Sequence, residues 1–309
     1  MTRVSTSTIK GRPLAISNHH SRLGVRLRDY LELTKPRIVA LELVTVAAAA
    51  YVASPRDLNG WLLVHALVGA GLVAASAGAI NQWLEREADS RMQRTANRPL
   101  PKGRLSKGEV LLFGAVTLCV GALQLALLVN PVAAGLGLAT WLVYVVIYTP
   151  LKSRSPVNTA VGAVSGALPV LLGWTATGTP IDSRALAMAG VLFLWQFPHF
   201  MAIAWLHRDD YARARYRMLT VVDPTGLRAG AQAVVAALLL IPVSLVPALD
   251  LVSASPAVYG IWAIILGTAQ LIAAICFMTS RNDVSARRLL RSTLLYLPCW
   301  MLLLVMMAL

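Results

Sequence analysis

Nine apolar runs, each long enough to cross a bilayer, leave this chain one architecture. They cover about 36–53, 61–80, 109–129, 132–149, 157–177, 185–206, 229–249, 256–278 and 289–308. A lipid interior offers backbone amides no water. A run of about 20 apolar residues therefore satisfies them only by closing its hydrogen bonds within itself, as a helix. The expected fold is an all-α membrane protein with nine transmembrane helices. Charged residues make up 14% of the 309 positions, against about 25% in a soluble domain, so no sizeable soluble domain fits between the runs. Two parts are expected: a basic polar N-terminal arm over 1–35 and a single transmembrane domain over 36–309. The arm has no apolar core of the kind a secretory signal needs. It reads as a mobile tail, with an organelle transit segment as the alternative.

The formal net charge of +14 suggests nucleic acid until its distribution is read. Eight Lys and Arg lie in the arm up to Arg37, seven follow the second run, two follow the fourth, five follow the sixth, and four separate the last two runs. That places 26 of 28 on one side of the membrane, and Arg56 and Arg184 on the other. Cytoplasmic loops carry such an excess. The N-terminus is thus expected in the cytoplasm and the C-terminus outside. Topology and anionic lipid account for the charge, so no nucleic-acid partner is expected. Cys119, Cys276 and Cys299 fall within the runs without metal-ligand spacing and read as small core residues.

Chemistry concentrates in the loop after the second run, Asn81–Lys107. Asn81, Glu85 and Asp89 recur every four residues, a drift of about 40° per step, so they share one helix face. Their oxygens are hard ligands suited to Mg²⁺. The same spacing also suits a solvated helix end whose acids pair with Arg86 and Arg91. Arg94 and Arg98 follow in a segment that Pro99 and Pro101 keep non-helical, and an arginine fork suits an oxyanion. A second acidic pair, Asp209 and Asp210, ends the sixth run among several arginines; a capped helix end is the other reading. The strings Trp83–Glu87 and Trp205–Asp209 both read W-L-x-R-acid, which either two related helical halves or chance produces. His199 lies inside a run, where a polar residue is functional by default, although a satisfied core histidine is also common. If the helix persists, Asp210 is offset from His199 by only about 20°. Pro198 predicts a bend there. Glu42 is the deepest carboxylate and is expected to face the bundle interior. Gly162, Ser165 and Gly166 allow close helix contact.

These strings resemble the UbiA superfamily of intramembrane prenyltransferases, and within it the heme-modifying branch. The resemblance rests on Lys35-Pro36-Arg37, on N-Q-W-L-E-R-E-A-D-S-R-M-Q-R-T-A-N-R-P-L-P from Asn81, and on Y-T-P-L-K-S-R-S-P from Tyr148. It rests further on G-A-L-P-V-L-L-G-W from Gly166, W-Q-F-P-H-F from Trp195 and H-R-D-D-Y from His207. It implies a nine-helix bundle with its active site at the cytoplasmic side. The family's first motif falls on Asn81, Glu85 and Asp89, with Glu replacing an Asp. Its second falls around His207, Asp209, Asp210 and Tyr211. Asn81, Glu85, Asp89, Asp209 and Asp210 are implied as Mg²⁺ ligands, and Arg94, Arg98, Lys152 and Arg154 as diphosphate ligands. His199 and His207 are implied at heme. Gly is usual in that branch where Arg215 stands, which implies a local departure in that loop.

The implied reaction ionises farnesyl diphosphate, alkylates a vinyl group of heme B and adds water. Membrane lipid, and heme A synthase or oxidase assembly, are the implied partners. The implied location is a bacterial inner membrane. A quinone precursor or a chlorophyll-like acceptor is the alternative within the same fold, and a secondary transporter the alternative outside it.

Overall fold

The computed structural model describes residues 18–250 and 255–308, and among them every regular element is helical. In chain order these are α1 (Asn18–Leu33), α2 (Pro36–Ala53), α3 (Gly60–Arg91), α4 (Lys107–Leu128) and α5 (Pro131–Leu142). A π-helical turn (Val143–Tyr148) leads into α6 (Thr149–Leu151), then α7 (Asn158–Ala176), α8 (Ser183–Leu206), α9 (Arg208–Arg213) and α10 (Leu219–Val222). The chain closes with α11 (Leu227–Leu245), a 3₁₀ turn (Val246–Asp250), α12 (Pro256–Ser280) and α13 (Asp283–Met307). Among the described residues nine helical runs are long and apolar enough to cross a membrane, with α5 to α6 counting as one.

The starts of these helices are written locally. Asn59, Asn130 and Asp182 each accept backbone N–H groups of the first turn of the helix that follows. Ser106 with Glu109, and Asn282 with Ser285, do so reciprocally. Such caps satisfy donors that have no partner inside the helix.

Helices α2 to α5 form one half of the bundle, and α8 with α11 to α13 the other. Between them α7 packs on α2, α5 and α8, while α13 reaches α2 and closes the ring. Small residues let α7 occupy the centre. A Cβ at Gly173 would meet the backbone of Val46 on α2, and one at Gly162 would lie 2.8 Å from the Tyr148 ring. This is the close contact predicted for the Gly162–Gly166 segment. Against the second half, Trp174 of α7 joins Tyr259 and Trp300 in one cluster, all three fully buried. Trp300 Nε1 donates to the Tyr259 hydroxyl (3.1 Å), which donates to the Ser244 carbonyl (2.6 Å), so neither buried polar tip is left unpaired. Leucines and isoleucines such as Leu112, Leu127, Ile261 and Leu295 point outward, as a lipid-facing surface requires.

Two expectations change. The stretch read as a loose arm contains α1, which the bundle holds: Asp29 and Glu32 pair with Arg104, and Leu33 is fully buried. Residues 1–17 lie outside the described residues. Cys119, Cys276 and Cys299 are exposed on the outer surface rather than buried in the core; the apolar solvent around such a bundle makes a thiol as acceptable outside as inside. Helix α3 continues past the apolar run that ends at 80 and carries the face predicted for Asn81, Glu85 and Asp89. Its 32 residues span about 48 Å, more than the ~30 Å hydrocarbon layer, so its last turns stand above the apolar zone.

Candidate active site

Because α3 overshoots the membrane, its inward face carries Asn81, Glu85 and Asp89 to the mouth of the bundle on a rigid element. Asn81 is fully buried. Its Oδ1 accepts from Lys35 Nζ (2.5 Å) and its Nδ2 donates to Thr149 Oγ1 (2.9 Å). Glu85 accepts from Lys152 Nζ (2.7 Å), which lies 4.6 Å from the centre of the Tyr148 ring and 5.8 Å from that of Tyr216. Asp89 Oδ2 accepts from Arg98 (2.7 Å), and the Asp89 carbonyl accepts from the Thr95 hydroxyl (2.9 Å). Asp89 Oδ1 is buried with no described partner. The solvated-end reading fails here: Arg86 lies over Trp83 on another face and pairs with Glu87.

The cations respond to this crowding in opposite ways. Burial pushes the Lys35 ammonium down to about 7, against the pull of the Glu85 carboxylate. Burial acts against Lys152 too, but Glu85 and the surrounding phenols outweigh it and hold its ammonium well above the usual lysine range. Lys35 belongs to the site although only its motif, Lys35-Pro36-Arg37, pointed that way. It adopts a left-handed conformation (φ 53°) immediately before α2. Tyr144 and Tyr148 were also missed. The π-helical turn carries both of them on the cavity wall, an irregularity that often marks functional sites and that periodicity does not announce.

A cavity of about 960 Å³ runs from this mouth into the bundle, between α2, α3, α5, α7, α8 and α13. Of the predicted residues, Glu85, Asp89, Arg94, Arg98, Lys152 and His199 line it, and Asn81 sits behind the wall. His199 stacks on Trp195 (4.8 Å between centres), and its Nδ1 lies 2.9 Å from Thr293 Oγ1. Arg154 and Asp209 are exposed and do not line the cavity. His207 is half-buried outside it, and burial together with Arg94 lowers its pKa. Asp210 is buried, accepts from the Gln93 backbone N–H (3.2 Å) and pairs with Arg213. Burial works against its charge, but Arg213 and Gln93 hold its carboxyl below the usual range.

The shared face predicted for His199 and Asp210 does not form. Helix α8 continues through Pro198 but stops at Leu206, and His207 (φ −116°, ψ 20°) separates it from α9. Arg215 keeps the left-handed backbone (φ 58°) that glycine adopts easily.

Among the described residues no three His, Cys, Asp or Glu side chains converge as a ready metal cage. The mouth instead sets Lys35, Arg94, Arg98 and Lys152 around Glu85 and Asp89, with positive charge in excess. Such a site takes an anionic headgroup together with a cation, and an apolar chain fits the cavity below it. Fold and site thus define a membrane-embedded enzyme class that works on the headgroup of an apolar substrate.

Residues 43–304 match the UbiA prenyltransferase family, and the chain belongs to that family as an integral membrane prenyltransferase. The protoheme IX farnesyltransferase of Solibacter usitatus is 42% identical over 282 residues, covering 88% of this chain and 96% of its own. That of Koribacter versatilis is 40% identical over 298 residues, covering 93% and 94%. A UbiA homolog from Archaeoglobus fulgidus, bound to DMAPP and Mg²⁺, has a TM-score of 0.69 at 16% identity, covering 91% of this chain and 99% of that one, a likeness of fold alone.

Proposed function

We propose that this prenyltransferase transfers the farnesyl group of farnesyl diphosphate to a vinyl group of heme B, giving heme O. The acceptor is argued from the similarity to protoheme IX farnesyltransferases over most of both chains. The donor end is argued from one observation above the others: Asp89 Oδ1 is buried without a partner at the mouth of an apolar cavity. A buried carboxylate oxygen left unpaired is costly, and a hard cation satisfies it. The residues present therefore fit Mg²⁺, with Asp89 and Glu85 to hold it and Asn81 supporting them from behind. When bound, Mg²⁺ offsets the charge that grows on the leaving diphosphate.

The chain's own part follows from its contacts. Arg98 and Lys152 are already charged and held in place by Asp89 and Glu85. Turning their remaining donors to the diphosphate requires little reorganisation, the condition under which electrostatic catalysis is strongest. Arg94 lines the same mouth, and its fork suits two oxygens at once. Asp210 acts from the second half of the bundle, fixing the segment that carries Arg94 and Arg98 through Gln93. The cavity walls keep bulk water from the allylic cation. His199, steadied by Thr293 and Trp195, faces the heme. The bacterial relatives suggest a bacterial inner membrane, and the charge asymmetry of the loops favours this mouth at the cytoplasmic side.

The test is direct. Purified protein in lipid nanodiscs is supplied with farnesyl diphosphate, heme B and Mg²⁺, and the extracted heme is weighed by mass spectrometry. The expected product is heme O, with turnover lost when a chelator is added. Unchanged heme in the presence of diphosphate release, or prenylation of a quinone precursor supplied in place of heme, would overturn the acceptor.

A further inference from the structure

We propose that Glu42 is the base that takes up the proton released when the alkylated acceptor is quenched. This rests on the reading above and adds a catalytic residue to it. When the allylic carbon bonds to the outer vinyl carbon, positive charge moves to the vinyl carbon beside the ring. That charge disappears in one of two ways. A neighbouring C–H loses its proton, or a water oxygen bonds to the carbon and one of its O–H bonds breaks. Either way a single proton must pass to a base close to the acceptor.

The groups at the mouth are poorly placed for this task. Glu85 and Asp89 are each paired with a cation, and a diphosphate held among several cations is a weak base. His199, deeper in the cavity, contacts Thr293 through Nδ1 and stacks on Trp195, and it is the side chain read above as facing the heme. Glu42 differs from all of them. It lines the same cavity, and no described side chain forms a hydrogen bond or ion pair with it. It lies seven residues beyond Lys35, about 10 Å along α2, and Tyr144 lines the same cavity. Tyr144 in turn accepts from Lys35 (3.3 Å). Glu42 therefore sits below the headgroup site, on the wall of the cavity that the acceptor would enter. An ionisable group kept at bilayer depth is a functional group by default. In the water-adding route the new C–O bond forms, the O–H electron pair stays on oxygen, and the proton goes to the Glu42 carboxylate, which returns it to water before the next turnover.

The experiment uses the full-length protein in nanodiscs with farnesyl diphosphate, heme B and Mg²⁺. Glu42→Gln keeps the shape and removes the base. Its kcat is expected to fall by about 10²-fold, the usual share of a positioned proton acceptor, with the KM for farnesyl diphosphate nearly unchanged. Glu42→Asp should recover part of kcat, and added formate should restore turnover to Glu42→Ala. Wild-type kcat in Glu42→Gln overturns the proposal. So does a loss that appears equally in KM and is not relieved by Asp or formate. A wild-type protein that forms no farnesylated heme overturns the acceptor reading and this proposal together.

Discussion

The two W-L-x-R-acid strings begin alike and end differently. At the end of α3, Arg86 lies over the Trp83 ring (5.2 Å) and donates to the Trp83 carbonyl (2.9 Å). At the end of α8, Arg208 lies over the Trp205 ring (4.8 Å) and donates to the Trp205 carbonyl (2.8 Å). The echo is therefore a repeated local structure, and in both copies the final acid, Glu87 or Asp209, is exposed. What separates them is the backbone. Helix α3 continues to Arg91 and carries Glu85 and Asp89 inward, whereas α8 stops and His207 stands where Glu85 would be. Thr220 takes the Ala204 carbonyl (2.9 Å) near that break. One string builds a carboxylate site because its helix goes on. The other builds a buttress because its helix does not.

Asp89→Ala should cut heme O formation by about 10³-fold or more, the scale of losing a principal electrostatic group, while detergent gel filtration shows an intact bundle. An active Asp89→Ala protein would remove the distinction between the two ends. Arg94→Lys keeps the charge but not the fork and should lose about tenfold in kcat/KM; wild-type kinetics would mean that charge alone suffices. Asp210→Ala should cost about tenfold through the loosened 93–98 segment. Asp209→Ala should stay within about twofold, as exposed substitutions do. Equal losses from the two would show that the second acidic pair acts as a unit. Last, Arg215→Gly should raise stability by about 1 kcal/mol by relieving a left-handed residue, read as an upward shift in the thermal midpoint.

Much of the site was legible because its parts are close in sequence. The four-residue spacing of Asn81, Glu85 and Asp89 is itself a helix face, and Arg94 and Arg98 follow within one loop. Lys152 needed the resemblance, since it lies 67 positions from Glu85 in the chain while its ammonium meets that carboxylate in space. Lys35 and the tyrosines of the π-helical turn were hidden, because their role depends on a backbone irregularity and on which wall of the bundle they join. The joint face of His199 and Asp210 failed for a related reason. Angular arithmetic holds only while the helix is unbroken, and a side chain from α10 takes part where it ends.

The sequence by itself determined that, among the described residues, nine helical runs are long and apolar enough to cross a membrane, and which short stretch concentrates acids and arginines. Those properties follow from local hydrogen bonding in an apolar solvent, where a chain segment has no alternative to the helix. Tertiary structure alone decided which of the acids are buried, which cations hold them, and that Glu42 is left facing an open cavity. Burial and pairing are set by contacts between helices distant in the chain, and no local pattern encodes those distances.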